Sequence, residues 1–264
     1  MKPTFNRNIT HYRKNHMSEI EDTVAEEFPL TIYLNDVEFA TLVCTPEHLE
    51  ELVIGFLASE GVIRRFEHIK KMNLDEHGGF CHITLADYIS TDHFVYSRRI
   101  ISSCCGKSRQ FYFQNDAKTS KTSLSKTKLT PNQCIKLMEH MQQESKVFME
   151  TGGIHNASIT TAEGLIVHRG DIGRHNALDK LYGYCLQNHI DVRDKALVFS
   201  GRISSEVLTK SAKIGVGLVL SKSAPTNLAI KMAEDLNITT IGFIRGDSFN
   251  IYSHPWRIKE DPGS

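Results

Sequence analysis

Ala196-Leu197-Val198-Phe199-Ser200-Gly201-Arg202-Ile203-Ser204-Ser205-Glu206 sets a four-residue apolar run against a glycine, a cation and paired serines. An apolar run this short, bounded by turn residues, reads as a buried strand, with a helix from about Ser204 to Ile214 behind it. The same grammar repeats downstream. Gly217 to Leu220 reads as a strand, about Pro225 to Leu236 as a helix, and Ile238 to Ile244 as a further strand. Strand, helix, strand, helix, strand predicts a parallel core with right-handed crossovers, an α/β fold. Upstream, Ala157 to Thr161 and Leu165 to His168 flank Ala162-Glu163-Gly164 as a hairpin. Gly173 to Gln187 then carries helical spacing through Ala177, Leu178, Leu181 and Cys185.

The N-terminal half is organised differently. Residues 1–27 are polar and charged and read as a mobile arm. Leu30, Ile32 and Leu34 alternate, Asn35-Asp36 supplies a turn, and Val37 to Cys44 returns as the second arm of a hairpin. Thr45 followed by Pro46 predicts a helix start, with Leu49, Leu52, Val53, Phe56 and Leu57 as its apolar stripe and Gly61 as its stop. Strand-like segments at Cys81 to Leu85 and Phe94 to Tyr96 complete a small α+β domain over 28–114, ending in a cysteine loop. Lys, Ser and Thr dominate 115–129, which reads as a linker or mobile loop. Thr130-Pro131-Asn132-Gln133 offers a capping box at the start of an α/β domain over 130–264.

Thirty-one Lys and Arg residues balance thirty-one Asp and Glu, so no global field points to nucleic acid. No apolar run is long enough to cross a bilayer, and residues from Met1 onward show no secretion signal, so a cytosolic setting is expected. Six cysteines are too sparse for a disulfide scaffold. Cys44, Cys81, Cys134 and Cys185 stand in apolar, periodic surroundings and read as core residues.

Cys104 and Cys105 differ. They are adjacent within Ser102-Ser103-Cys104-Cys105-Gly106-Lys107-Ser108-Arg109, and no carboxylate stands between Arg98 and Arg109. Nearby cations favour thiolate, the form that attacks or carries sulfur. The bland alternative is two incidental cysteines on a basic surface. Four other junctions are polar where strands meet helices: Thr151 to Asn156, Gly170 to Asn176, Ser200 to Glu206 and Ser221 to Thr226. Ligands gather at such junctions in open sheets, where glycines admit close approach and helix starts favour anions. Arg174, Arg202 and Lys222 add charge suited to a pyrophosphate. Taken singly, each junction reads more readily as caps, turns and a satisfied histidine than as a ligand site.

Other chemistries fit poorly. The chain has no Gly-x-x-x-x-Gly-Lys-Ser/Thr loop, no Gly-x-Gly-x-x-Gly after a strand and no Cys-x-x-Cys. No metal site is expected: His155-Asn156-Ala157 comes nearest to a zinc deaminase motif and lacks the second element.

In order, Ser103-Cys104-Cys105-Gly106-Lys107, Thr151 to Ala157, Asp171 to Lys180, Ser200-Gly201-Arg202, Ser223 to Thr226 and Gly242 to Gly246 resemble the formate dehydrogenase accessory sulfurtransferases, the FdhD family. The resemblance runs from roughly Leu30 to the C-terminus. It implies a small N-terminal α+β domain, a larger three-layer C-terminal domain of cytidine-deaminase-like topology, and a homodimer. It also implies a sulfurtransferase that takes sulfur from a cysteine desulfurase as a cysteine persulfide. The acceptor the resemblance implies is the bis-molybdopterin guanine dinucleotide (Mo-bisMGD) cofactor of formate dehydrogenase, bound as substrate.

Many members carry Cys-x-x-Cys-Gly; aligned on Gly106, Cys105 takes the second position and Ser102 the first, so Cys105 is preferred and Cys104 kept beside it. The family's cofactor segment maps onto Phe243, Ile244, Arg245, Gly246, Asp247 and Ser248, and the basic junctions add Arg174, His175, Arg202 and Ser223. There Arg245 would meet phosphate, Phe243 stack on a ring and Asp247 accept from a guanine edge; the plain alternative is a strand end with Phe243 in the core. Two other classes stay open beside the carrier. One is a chaperone that holds the cofactor without moving sulfur; the other is a thiol–disulfide oxidoreductase lacking its usual motif.

Overall fold

The computed structural model describes residues 1–86, 100–101 and 122–260. Three sheets and six α-helices make up the described part of this mixed α/β protein.

The largest sheet is built around the expected parallel strands. β10 (Ala196–Phe199), β11 (Leu218–Ser221) and β12 (Thr239–Arg245) pair in parallel, joined by helices α5 (Ser205–Ile214) and α6 (Asn227–Asp235). Antiparallel strands extend it on both sides, giving the order β13-β12-β11-β10-β8-β9, with β8 His155–Thr160, β9 Leu165–Asp171 and β13 Ser248–Ser253. Alternation along β10 sends Leu197 and Phe199 to one face and Ala196 and Val198 to the other. The first face is covered by α4 (Arg174–Gln187), α5 and α6; the second packs on Cys134, Leu137, Met138 and Met141 of α2 (Pro131–Glu144). The predicted capping box starts α2: Gln133 N–H donates to Thr130 Oγ1 at 3.3 Å and Thr130 N–H to Gln133 Oε1 at 2.8 Å. A short helix, α3 (Lys146–Thr151), leads from α2 to β8.

The second sheet has the order β5-β6-β3-β4-β7, with β3 Phe28–Leu34, β4 Val37–Cys44, β5 Ile69–Asp75, β6 Phe80–Leu85 and β7 Ile100–Ile101. Asn35 and Asp36 both adopt positive φ, the left-handed pair a two-residue hairpin needs. Helix α1 (Leu49–Ser59) packs its apolar stripe on this sheet. It begins later than Thr45-Pro46 suggests, because Thr45 is engaged elsewhere: its Oγ1 accepts from Ile172 N–H and its own N–H donates to Asp171.

Two further expectations meet a different structure. The first residues, read as a polar arm, form paired strands: β1 (Thr4–Arg13) and β2 (His16–Ala25) are joined by Lys14-Asn15, both at positive φ. The turn was illegible because lysine is an uncommon left-handed residue. The tail of the Lys/Ser/Thr-rich stretch is anchored: Ser123 and Ser125 are buried, and Arg257 donates to Ser125 O at 3.2 Å. Cys104, Cys105 and the expected strand at Phe94 to Tyr96 lie outside the described residues.

Candidate functional site

The loops after β10, β11 and β12 open on one end of the main sheet, and their backbones are stitched together. Ile203 N–H donates to Ala224 O at 3.2 Å, Thr226 N–H to Ile203 O at 2.9 Å, and Phe243 N–H to Ser223 O at 3.3 Å. Beneath them Ser221 Oγ donates to Gly201 O at 2.7 Å and Ser223 Oγ to Ser200 O at 3.3 Å. Gly201 is required by contact: a β-carbon there would come within 2.9 Å of the Phe199 ring and 3.3 Å of His155 Nδ1.

These loops enclose a cleft of about 380 Å³ lined by His155, Arg174, Arg202, Ser223, Ala224, Phe243 and Arg245. Arg174 is the first residue of α4, so the positive end of that helix adds to the guanidinium charge. Among the described residues no carboxylate pairs with Arg174, Arg202 or Arg245. Phe243 sits on a β-bulge with φ +56, an unusual conformation for a bulky residue, and remains 39% exposed with the Arg245 guanidinium 5.6 Å from its ring centroid. Burial, then Arg174 and His175 nearby, hold the His155 imidazole below its ordinary pKa, so it is neutral at pH 7.

The expected site residues divide. Arg174, Arg202, Ser223, Phe243 and Arg245 converge on the cleft. Ile244 points the other way and is buried in the core packed on α2. Gly246, Asp247 and Ser248 form the exposed turn into β13, closed by the Arg245–Ser248 pairing. His175 lies behind the lining: its Nε2 is 3.2 Å from Glu206, while its buried Nδ1 has no partner among the described residues. Burial holds this imidazole also below its usual pKa, against the raising pull of Glu206. Lys222, grouped with the arginines by sequence, reaches towards Gln142 on α2 instead. His155 and Ala224 join the lining. His155 stood in a glycine-rich junction and Ala224 in the polar junction after β11, both weak signals.

Burial pushes the Cys44, Cys81 and Cys185 thiols up to about 12, leaving them protonated and inert. Among the described residues no His, Cys, Asp and Glu cluster could hold a metal ion. No described helix is long and apolar enough to cross a membrane.

In this α/β protein, converging guanidiniums, a helix start and an exposed ring stand together at the strand ends, a chemistry suited to a phosphorylated, ring-bearing ligand. The chain belongs to the FdhD/NarQ family, whose model matches residues 25–259. It is 59% identical over 259 residues to the sulfur carrier protein FdhD of Bacillus subtilis (strain 168), covering 98% of this chain and 99% of that one. The protein of the same name from Halalkalibacterium halodurans is 59% identical over 254 residues, covering 96% and 94%. In structure, the chain superposes on a protein from Desulfotalea psychrophila assigned as a formate dehydrogenase accessory protein. The TM-score is 0.81 at 22% identity, over 97% of this chain and 100% of that one, so the two share a fold.

Proposed function

We propose that this chain is a sulfurtransferase serving formate dehydrogenase. It takes sulfur from a cysteine desulfurase as a persulfide on Cys105, with Cys104 beside it, and passes it to the molybdenum of Mo-bisMGD. The observation that carries this reading is the cleft, where Arg174, Arg202 and Arg245 surround an exposed Phe243. Three guanidiniums match the two phosphates of a guanosine diphosphate end, and a phenyl ring held out by a bulge suits a purine face. The name borne by relatives at 59% identity supports the sulfur-carrying half.

The chemistry follows from thiolate nucleophilicity. A cysteine thiolate attacks the terminal sulfur of the desulfurase persulfide, the old S–S bond breaks, and the desulfurase thiolate leaves. Lys107 and Arg109 follow the pair in sequence and would stabilise the new persulfide anion. When the acceptor takes the terminal sulfur, the S–S bond breaks and its electron pair stays on the cysteine as thiolate; the sulfur leaves at the sulfane level, and a reduced acceptor would supply the two electrons that bring it to sulfide. The role of this chain's cleft is to hold the nucleotide end of the acceptor while that happens.

The finer organisation is part of the same proposal: an α+β unit over 28–114, a connecting stretch over 115–129, and a cofactor-binding unit over 130–264 of cytidine-deaminase-like topology. The protein works as a cytoplasmic homodimer, with no nucleic-acid or membrane partner.

Incubation with a cysteine desulfurase and cysteine, then intact mass measurement, is expected to show one added sulfur that reductant removes. If Cys104→Ala/Cys105→Ala gains the same sulfur, the cysteine loop is not the carrier; if it gains none yet matures formate dehydrogenase as well as the parent, the chain is a cofactor chaperone.

A further inference from the structure

The cleft accounts for Arg174 but not for the residue three places before it. Asp171 is 0% exposed and its carboxylate is fully used. Oδ1 accepts from Gly173 N–H at 2.8 Å and Asn176 Nδ2 at 2.9 Å; Oδ2 accepts from Thr45 N–H at 3.0 Å and faces Lys180 Nζ at 2.7 Å. Lys180, also 0% exposed, donates onward to Thr45 O at 3.1 Å and Gly170 O at 3.2 Å. Asn176 Nδ2 also reaches Val43 O at 2.8 Å, and Thr45 Oγ1 accepts from Ile172 N–H at 3.0 Å.

One side of this node is the cleft. Asp171 is paired in register with His155 across β8 and β9, and Gly173 caps the helix that Arg174 begins. The other side is the end of β4, where Val43 and Thr45 stand. β4 pairs in parallel with β7, Thr41 opposite Ile100 and Leu42 opposite Ile101, and Cys104 follows Ile101 by three residues in sequence. A single buried carboxylate therefore ties the end of β4, the strand paired with β7, to the first turn of the cleft helix.

A buried ion pair is a poor way to gain stability, because its desolvation offsets most of its attraction. Its directional bonds nevertheless fix one arrangement where apolar packing tolerates small slides. Group transfer is sensitive to such slides, since about 1 Å of misplacement costs on the order of 100-fold in rate.

We propose that Asp171 is a positioning residue for sulfur transfer, holding the β4–β7 edge in register with the Arg174 end of the cleft. This rests on the sulfur-carrier reading above. The role separates binding and loading from transfer, and single-turnover kinetics separates them experimentally.

Carrier loaded with radiolabelled persulfide by a desulfurase is mixed with purified molybdenum-bearing guanine dinucleotide cofactor, and the first-order transfer of label is followed. Guanosine diphosphate affinity, label uptake and melting temperature are measured alongside. Asp171→Asn is expected to keep uptake and nucleotide affinity near parental while transfer at saturating cofactor falls about 100-fold. Thr45→Val, which removes only the hydroxyl acceptor, is expected to slow transfer about 10-fold, with Thr45→Ser restoring it. Parallel decline of uptake, affinity and transfer in Thr45→Val reduces the node to a stability element and overturns the proposal. Parental transfer by a folded Asp171→Asn overturns it too. A parent that takes up no label refutes the sulfur-carrier reading as well.

Discussion

Gly55 on α1 and Gly183 on α4 let two helices cross with their backbones in contact. A β-carbon on Gly55 would lie 1.7 Å from Asp179 O, and one on Gly183 would lie 1.9 Å from Glu51 O. Around this crossing, Glu51 of α1 binds Arg169 of β9 through both carboxylate oxygens, and Ser59 donates to Asp179 at 2.6 Å. Lys210 of α5 meets the same Asp179 carboxylate, and Lys213 donates to Ser59 O at 2.6 Å. Close backbone approach at the centre and satisfied polar contacts at the rim bind the two sheets into one body.

Gly183→Ala tests the crossing. Its methyl meets backbone, which cannot rotate away, so the helices must separate. We expect a loss of about 3 kcal/mol, read by urea or thermal unfolding. Full parental stability would mean that the helices do not pack this closely.

The cleft arginines make an ionic prediction. Arg174→Gln, Arg202→Gln and Arg245→Gln should each weaken guanosine diphosphate binding by about 2 kcal/mol, the scale of one charge-assisted hydrogen bond. Binding to the parent should fall as salt rises, and each variant should show a shallower dependence. Isothermal titration at two ionic strengths measures both. Parental affinity in all three variants would remove the cleft from the function.

Phe243 separates backbone strain from recognition. At φ +56 glycine is the comfortable residue, so Phe243→Gly should unfold no more readily than Phe243→Ala despite its greater chain entropy. Both should lose a stacking surface worth about 1–3 kcal/mol, seen as weaker guanine nucleotide binding. Unchanged affinity would return the ring to a structural role.

His168 sets an acid limit. Burial pushes its imidazole down to about 4, opposed by Glu144 and aided by Arg169 and His48, and Ser158 Oγ lies 3.0 Å from its Nδ1. The unfolded chain binds the proton near pH 6.5 while the folded one resists it. Its contribution is therefore whole above about pH 6.5 and is lost as pH falls towards 4. The loss is on the order of 3 kcal/mol. His168→Gln should flatten the stability profile across that window in denaturant titrations. A variant as acid-sensitive as the parent would place the effect elsewhere.

Much of this was legible in one dimension. Asn35-Asp36, the Thr130–Gln133 box and the Ser204 cap are local, so their residues specify turn and helix ends without help from distant parts. Thr45-Pro46 misled because Asp171 and Ile172, far along the chain, claim the groups that would have capped a helix. For the same reason Lys222 and Arg202 looked alike beside their strands, and only packing turned one towards α2 and the other into the cleft.

The order of amino acids determined the strand–helix alternation and the cationic setting of Cys104 and Cys105, because each depends on neighbours along the chain. Three-dimensional packing decided that Arg174, Arg202 and Arg245 share one cavity with Phe243, and that Asp171 joins that cavity to β4. Those relations link residues remote in sequence, and only the assembled sheet and the α1–α4 crossing fix the distances between them.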